Sequence, residues 1–593
     1  MSNRERRRTP RNAPTRASRL TKDHLVPVVL AVMLALLPWA ATTGFNDAVA
    51  APKQVLLFFG AAALLIAASL GRSSMPEQRL VAVSLAAFAA WLVLASLLSD
   101  FPKESVLGWY GVRNGWTTWL AVVVVFFAAA SISSQPAMVA IVRTGAMGGL
   151  LMMTLVALGQ QTGAADALSD LRMETRNTGL AGTPNDLAAC CIVYLGLLWP
   201  VNERPRLTAI GVAAAALAVL LSVSRVGVSL FVVALVLATA LGWFALGLRP
   251  ALRQARWLFG AAICGAVIAL PTGTPAQLAG RFDVQIAPGS EQPSDLGLSG
   301  ALRAGFWEAG LRAAIDSPVF GYGSDALPFI YGRHRSESET LDLYFDYALS
   351  SSHNTAIDLA VAGGLPAVLA LSAGVFTILG GRLRHLKREP GAILSIAAVG
   401  GFGAMAMLNP LAIPQLVGFA VVLGLLTPAS PFGRSLPRPA AIAAASLALA
   451  TAAIAILGAG LLIAAEDRAA AARDASRDGE FARSASLYRS AAGIIPLERH
   501  YLVDSFVARI DAADQSGTGA NFELAISAGE DVHREFAPLA GNLVALAGVI
   551  QLAHPGDPRV EALLAEAAVI EPASSRWAET IARIRTFAPP TGQ

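Results

Sequence analysis

The chain has 593 residues, of which 55% are hydrophobic and 15% charged, and its formal net charge is +4. Soluble globular proteins carry roughly 25% charged residues, so a soluble enzyme and a disordered protein are both excluded. The three cysteines, Cys190, Cys191 and Cys264, fall inside apolar runs without metal-ligand spacing, which removes a disulfide scaffold and a cysteine metal site.

The chain opens on a basic tail, residues 1–24. Arg4, Arg6, Arg7, Arg8, Arg11, Arg16, Arg19 and Lys22 stand there against the single acid Glu5. A basic arm before the first apolar run marks a cytoplasmic N-terminus. With no nucleic-acid reading module behind it, it implies no nucleic-acid partner. Residues 25–465 then hold thirteen apolar runs: 25–43, 53–71, 80–99, 117–134, 138–160, 185–201, 207–223, 226–247, 257–273, 353–379, 391–410, 411–428 and 439–463. Each is close to the ~20 residues of helix that a bilayer core requires, so the fold class is all-α, a polytopic transmembrane bundle of about 12–13 spans. The first run is too long for a removable signal peptide and lacks a small-residue cleavage site.

Loop charges test the count. With the N-terminus inside, Arg72/Arg79, Arg204/Arg206, Arg249/Arg253/Arg256, Arg382/Arg384/Lys387/Arg388 and Arg434/Arg438 all fall on the inner side, and only the loop near Ser133–Ala137 lacks a positive charge. The interval 391–428, interrupted by Asn409–Pro410 and Pro414, fits either two full spans or one re-entrant pair.

Two segments are too polar to cross. The large outer loop at about 275–352 contains Leu302, Phe306 and Leu311 at helical spacing, with Trp307 alongside, which predicts a helix lying on the membrane or the bundle over Leu298–Ile315. Residues 466–593 carry 12 arginines, no lysine and 18 acids on an Ala-rich, helix-period background. There Gly479, Tyr488, Ala491 and Pro496 stand at spacings similar to the second half of a tetratricopeptide repeat. The expectation is an extracytoplasmic helical, tetratricopeptide-like domain, and its deletion is expected to alter acceptor choice more than donor hydrolysis.

Polar residues beside a span are costly and call for a function. Five groups fall on the outer side: Trp109, Tyr110, Arg113 and Asn114; Arg176, Asn177, Asn185 and Asp186; Arg225; Arg303; and His353 with Asn354. Each has a plain structural alternative. Arg225 can snorkel to headgroups, Trp109 and Trp116 fit an aromatic belt, Asn185 fits a helix N-cap, and His353 fits a helix start. Asp358, about one turn into the following span, suits a supporting role, orienting His353 or pairing with an arginine. Guanidinium groups match phosphate oxygens and stay charged, while a histidine accepts a proton near neutrality. Such a set suits a phosphate-bearing lipid and an attacking hydroxyl. No GxxxxGK[ST] loop and no HExxH motif occurs, so no nucleotide, cofactor or metal is expected and the driving energy resides in the substrate.

These residues, in WYGVRNG, AGTPNDLAA, SRVG, RAGFW, SPVFGYGSD and HNTAIDLAVAGGLP, resemble the O-antigen ligase and polysaccharide polymerase superfamily of bacterial envelope glycosyltransferases over roughly residues 25–430. The resemblance implies a C-type glycosyltransferase fold in the bacterial cytoplasmic (inner) membrane. It implies metal-independent transfer from a polyprenyl-diphosphate-linked glycan to an acceptor hydroxyl, with inversion at the anomeric carbon. His353 would be the catalytic residue, Arg225 and Arg303 would hold the donor diphosphate, and Asn354, Asn185 and Arg113 would line the substrate site with Asp358 in support. This chain has Asn185–Asp186 where the family usually shows an asparagine pair, and Pro366–Ala367 where a glycine commonly follows the HN segment. Its outer C-terminal domain leaves the acceptor open among a glycan, a wall polymer and a protein. The alternatives are a protein O-oligosaccharyltransferase and, from another class, a transporter or flippase. A transporter favours inverted repeats and helices broken near the midplane.

Overall fold

The computed structural model describes residues 24–70, 78–164, 177–282, 295–336, 349–428, 438–572 and 575–586. The basic residues Arg4 to Lys22, and Arg72, Arg176 and Arg434, lie outside them. The described secondary structure is helical, without strands. Each of the thirteen apolar runs is occupied by a helix, and among the described residues seven helices are long and apolar enough to cross a membrane: Ala50–Ser69, Arg79–Leu97, Pro136–Thr162, Arg225–Leu246, Leu248–Thr272, Thr355–His385 and Ile442–Arg477. The protein is an all-α polytopic helical bundle.

The centre of the bundle is the short helix Pro184–Leu195, buried continuously from Asp186 through Leu195. Pro205–Leu221, Arg225–Leu246, Ile393–Ala406 and Ile413–Leu426 pack around it. Lipid tails are as apolar as leucine, so helices in a membrane associate through close contact at small residues. At Gly145, in Pro136–Thr162, a Cβ would lie 2.2 Å from the Ala31 carbonyl oxygen. Any larger residue would force that helix off Leu25–Leu36.

Contacts sort the loops into two ends. At one end Ser133 Oγ donates to the Thr427 carbonyl at 2.7 Å, Ser395 Oγ to that of Gly196 at 2.6 Å, and Arg382 Nε to that of Leu426. At the other, Asn46 Nδ2 donates to the Tyr110 hydroxyl at 2.8 Å, Asn114 Nδ2 to the Leu411 carbonyl at 2.6 Å, and Asn185 Nδ2 to Asn409 Oδ1 at 3.2 Å. Residues 391–428 form two helices whose distal ends share the first end while their Asn409–Leu411 turn reaches the second. Each has 14 residues, or about 21 Å at 1.5 Å per residue.

The helix after His353 is broken. Thr355–His385 loses helical geometry at Gly363 and at Gly364, whose φ is +65°. Unpaired backbone groups are expensive in an apolar surrounding, and here the freed carbonyls are claimed. Val361 and Ala362 accept from the backbone N–H of Tyr322 (2.7 Å) and Gly323 (3.0 Å), and Gly363 accepts from Trp91 Nε1 (2.8 Å). The outer loop therefore plugs the break. A Cβ on Gly364 would stand 2.2 Å from the Val319 carbonyl oxygen.

The helix Arg438–Arg477 has 40 residues and runs about 60 Å, straight through the boundary expected at 465/466. Beyond it Phe481–Ile494, His500–Ser516, Gly519–Glu535, Ala540–Ala553, Pro558–Ile570 and Ser575–Thr586 pack largely each on the next. Their core, including Phe506, Ile526, Leu543, Ile550 and Leu564, is continuous with Leu327, Phe329 and Ile330 of the outer-loop helix Leu327–His334. The expected surface helix is present as Asp295–Asp316 and packs on the broken helix, with Gly310 against Ile357 and Ser352.

Candidate functional site

Among the described residues, the non-glycine positions with left-handed φ are Arg113 (61°), Leu180 (63°), Val223 (51°), Asp325 (54°) and His353 (58°). All five belong to loops at the same end of the bundle, the end that holds Asn46, Asn114, Asn185 and Asn409. Side chains in this region cost energy and persist where surrounding contacts impose them, a pattern typical of functional sites.

His353 is held by its own turn. Its N–H donates to Ser351 Oγ at 2.9 Å, and Ser351 Oγ donates to Asp358 Oδ2 at 2.6 Å. Asp358 Oδ1 accepts from the Ser352 N–H at 2.8 Å. Asn354 caps the next helix, its Oδ1 accepting from Ala356 and Ile357 N–H, so this oxygen is committed to the backbone. The imidazole stacks on Phe306 with centroids 5.6 Å apart, and its Nδ1 is enclosed without a hydrogen-bond partner. Burial first, then the positive charge of Arg303, pushes its pKa down to about 4. At neutral pH the ring is uncharged and can accept a proton.

Arg225 occupies the first position of its helix, which Ser224 caps by accepting from the Gly227 N–H at 3.0 Å. Ser224 Oγ donates to Asn185 Oδ1 at 2.7 Å. Asn185 is thereby bound on both sides, to Ser224 and to Asn409. The cap of Pro184–Leu195 is Thr183, in a capping box with Asp186, and not Asn185. Arg303, on Asp295–Asp316, is half-buried, and its pKa is lowered by burial and then by the like charge of Arg225. Arg225, Arg303 and His353 therefore form one electrostatically connected series, although they lie up to 128 residues apart in the chain.

A cavity of about 500 Å³ opens at His353, lined also by Asn46, Asp47, Tyr110, Gly182, Thr183 and Asp186. A small chamber of about 50 Å³ borders it, sharing Val112, Ser350, Pro410 and Leu411, with Asp325, Asp358, Ser351 and Thr355 among its lining residues.

Arg113 does not reach this cavity as a substrate ligand. Its side chain is fully buried, with Nε on Asp47 Oδ2 at 2.6 Å, Nη2 on Glu466 Oε1 at 2.6 Å and Nη1 on Glu498 Oε2 at 3.2 Å. Nη1 also lies 3.4 Å from Gln54 Oε1. Three carboxylates and an amide saturate the guanidinium, so the substrate-binding expectation for Arg113 is corrected to a structural one. The joint continues through Tyr110, whose ring stacks on His500 at 4.6 Å and whose hydroxyl approaches Glu466, and through Tyr501, which donates to Glu466 Oε1 at 2.9 Å. Burial pushes the Glu498 carboxyl up to about 7 despite Arg113. The C-terminal helices are thus docked onto residues that line the cavity.

Asp47, Glu466 and Glu498 lie outside the sequence motifs, and Asp325 closes SPVFGYGSD without a role of its own in the sequence reading. Asp47 and Glu466 stand at the edges of apolar runs, where an acid is a hint of a buried partner, but nothing local names Arg113 as that partner.

Residues 210–372 match the O-antigen ligase family model. The matched stretch spans Arg225, Arg303 and His353, and it bears out the resemblance of the chain to the O-antigen ligase and polysaccharide polymerase superfamily. That family comprises membrane enzymes acting on glycans. The chain matches none of the curated proteins with which it was compared.

Proposed function

We propose that the protein transfers a polyprenyl-diphosphate-linked glycan to an acceptor hydroxyl at the outer face of the bacterial cytoplasmic membrane, with the N-terminus cytoplasmic and residues 466–593 outside. The observation that carries this reading is the charge coupling that runs from Arg225 through Arg303 to His353, whose uncharged imidazole lines the cavity while the two like-charged guanidinium groups stand outside its lining residues. A diphosphate between the arginines relieves their repulsion and receives their fixed donors. The acceptor oxygen attacks the anomeric carbon as the carbon–oxygen bond to the diphosphate breaks. The electron pair leaves with the polyprenyl diphosphate, and His353 takes the hydroxyl proton. Guanidinium charge stabilises the departing anion, which is why the transfer is proposed to need no metal. Asn354 and Asp358 fix the His353 turn, and Asn185 fixes the loop before Arg225. The C-terminal helices, read as tetratricopeptide-like, bound the acceptor side, where a glycan, a wall polymer or a protein hydroxyl is received. The same step serves a ligase or a polymerase.

The break at Gly363–Gly364 is the one feature that favours a transporter or flippase, since discontinuous helices mark such proteins. Its freed carbonyls are taken by Tyr322, Gly323 and Trp91, so the break presents no open ligand site.

Purified wild-type protein with lipid-linked donor and acceptor, in chelator, is expected to give an inverted glycosidic product, and His353→Ala none. Retained transfer by His353→Ala, or dependence on an added divalent cation, overturns the mechanism.

A further inference from the structure

We infer that Asp325 is a positioning residue for the transfer reaction, setting the cavity wall opposite His353 through the turn at 109–114. The inference rests on the reading of the site given above.

Asp325 ends the SPVFGYGSD motif, and the site chemistry above gives it no role. Its Oδ2 accepts from two backbone N–H groups of a distant turn, Trp109 at 3.1 Å and Asn114 at 2.7 Å. Between these two residues lie Tyr110, Gly111 and Val112, all of which line the 500 Å³ cavity. The loop bearing Asp325 is itself anchored, through Tyr322 and Gly323, to the broken helix that begins just after His353. The Asp325 carboxylate is thus the clasp between the histidine's helix and the opposite cavity wall.

Three further observations support this. Asp325 adopts φ +54°, a strained backbone that brings the carboxylate to the turn. Gly108, with φ +90°, leaves room for it, since a Cβ there would stand 2.3 Å from Asp325 Oδ2. Asp325 and Asp358 line the same small chamber, so the carboxylate that fixes the wall adjoins the one that fixes the His353 turn. Burial and Asp358 push the Asp325 carboxyl up to about 7, the energetic cost expected of a carboxylate held for its hydrogen bonds.

Loss of the acceptor oxygen leaves two N–H groups unpaired and lets the turn move. Asp325→Ala is expected to raise the acceptor KM at least tenfold, with donor hydrolysis by water within threefold of wild type. Asp325→Asn retains an acceptor oxygen and is expected to restore the KM. The turn is read independently of catalysis with a Val112→Cys probe in a Cys264→Ser background. Thiol labelling of Cys at this position is expected to accelerate at least tenfold with Asp325→Ala and to return with Asp325→Asn. Unchanged labelling, unchanged acceptor KM, or equal loss of transfer and donor hydrolysis in both variants overturns the inference. Altered labelling in a protein whose wild type transfers no glycan contradicts the proposed function while leaving the clasp in place.

Discussion

At the scale of single residues, the decisive feature is an imidazole kept uncharged. A histidine whose pKa falls to about 4 is neutral through the physiological range and is protonated only as the pH drops through that value. Under the proposed mechanism, transfer is therefore expected to persist at neutral pH and to fail on an acid limb. Arg303 supplies part of the depression, so Arg303→Gln is expected to move the acid limb of residual kcat/KM upward. A bound diphosphate screens the same arginine, which places the acid limb of kcat, the property of the complex, above that of kcat/KM. His353→Ala is expected to abolish detectable transfer, a loss at or beyond the upper end of the about 10²–10⁴-fold range for a positioned base. An acid limb of kcat/KM that does not move in Arg303→Gln contradicts the coupling. Arg225 and His353 stand out in the sequence as polar residues beside apolar runs, whereas Arg303 lies within the polar outer loop and is singled out only by the RAGFW motif. Arg113 meets the same criterion by sequence alone, which shows that a charge needs a partner without showing that Asp47, Glu466 and Glu498 provide it.

At the scale of elements, a helix stands at each of the thirteen apolar runs that hydropathy marks, because an apolar run must pair its own backbone groups in a nonpolar medium, and among the described residues seven helices are long and apolar enough to cross. Hydropathy could not show where one of them breaks. Gly363 and Gly364 sit inside an apolar run, and their unwinding depends on Pro318–Gly323 arriving from the outer loop to satisfy the carbonyls. Gly364→Ala would place a Cβ 2.2 Å from the Val319 carbonyl oxygen at a φ of +65°. It is expected to cost about 1–3 kcal/mol, read as a lower melting temperature in detergent, whereas Gly380→Ala in the same helix meets nothing within 4 Å and is expected to be neutral or slightly stabilising. Equal melting temperatures for the two variants would show that the break is not strained as described.

At the scale of the whole molecule, the C-terminal helices are built into the bundle. The helix Arg438–Arg477 carries Glu466 from one region into the other, and Arg113 holds Glu466 and Glu498 together with Asp47. Deleting residues 466–593 removes two of the three carboxylates from a fully buried guanidinium. A charge left without partners in the interior costs about 3–5 kcal/mol, so the truncated protein is expected to lose accumulation and donor hydrolysis along with acceptor choice. This revises the separable role that the sequence implied. Arg113→Met is expected to destabilise the full chain comparably, in part relieved by adding Glu466→Gln and Glu498→Gln. A truncation that accumulates and hydrolyses donor normally would show that the docking carries no energetic weight.

The central claim is that the arginine pair holds the donor while His353 performs the proton transfer. Direct binding of a polyprenyl-diphosphate-linked glycan to purified protein in lipid nanodiscs, paired with transfer by the same samples, separates the two roles. The account predicts that His353→Ala binds the donor as wild type does and transfers none, while Arg225→Ala and Arg303→Ala each lose at least tenfold in donor affinity. Wild-type donor affinity in both arginine variants, or transfer by His353→Ala, would contradict it.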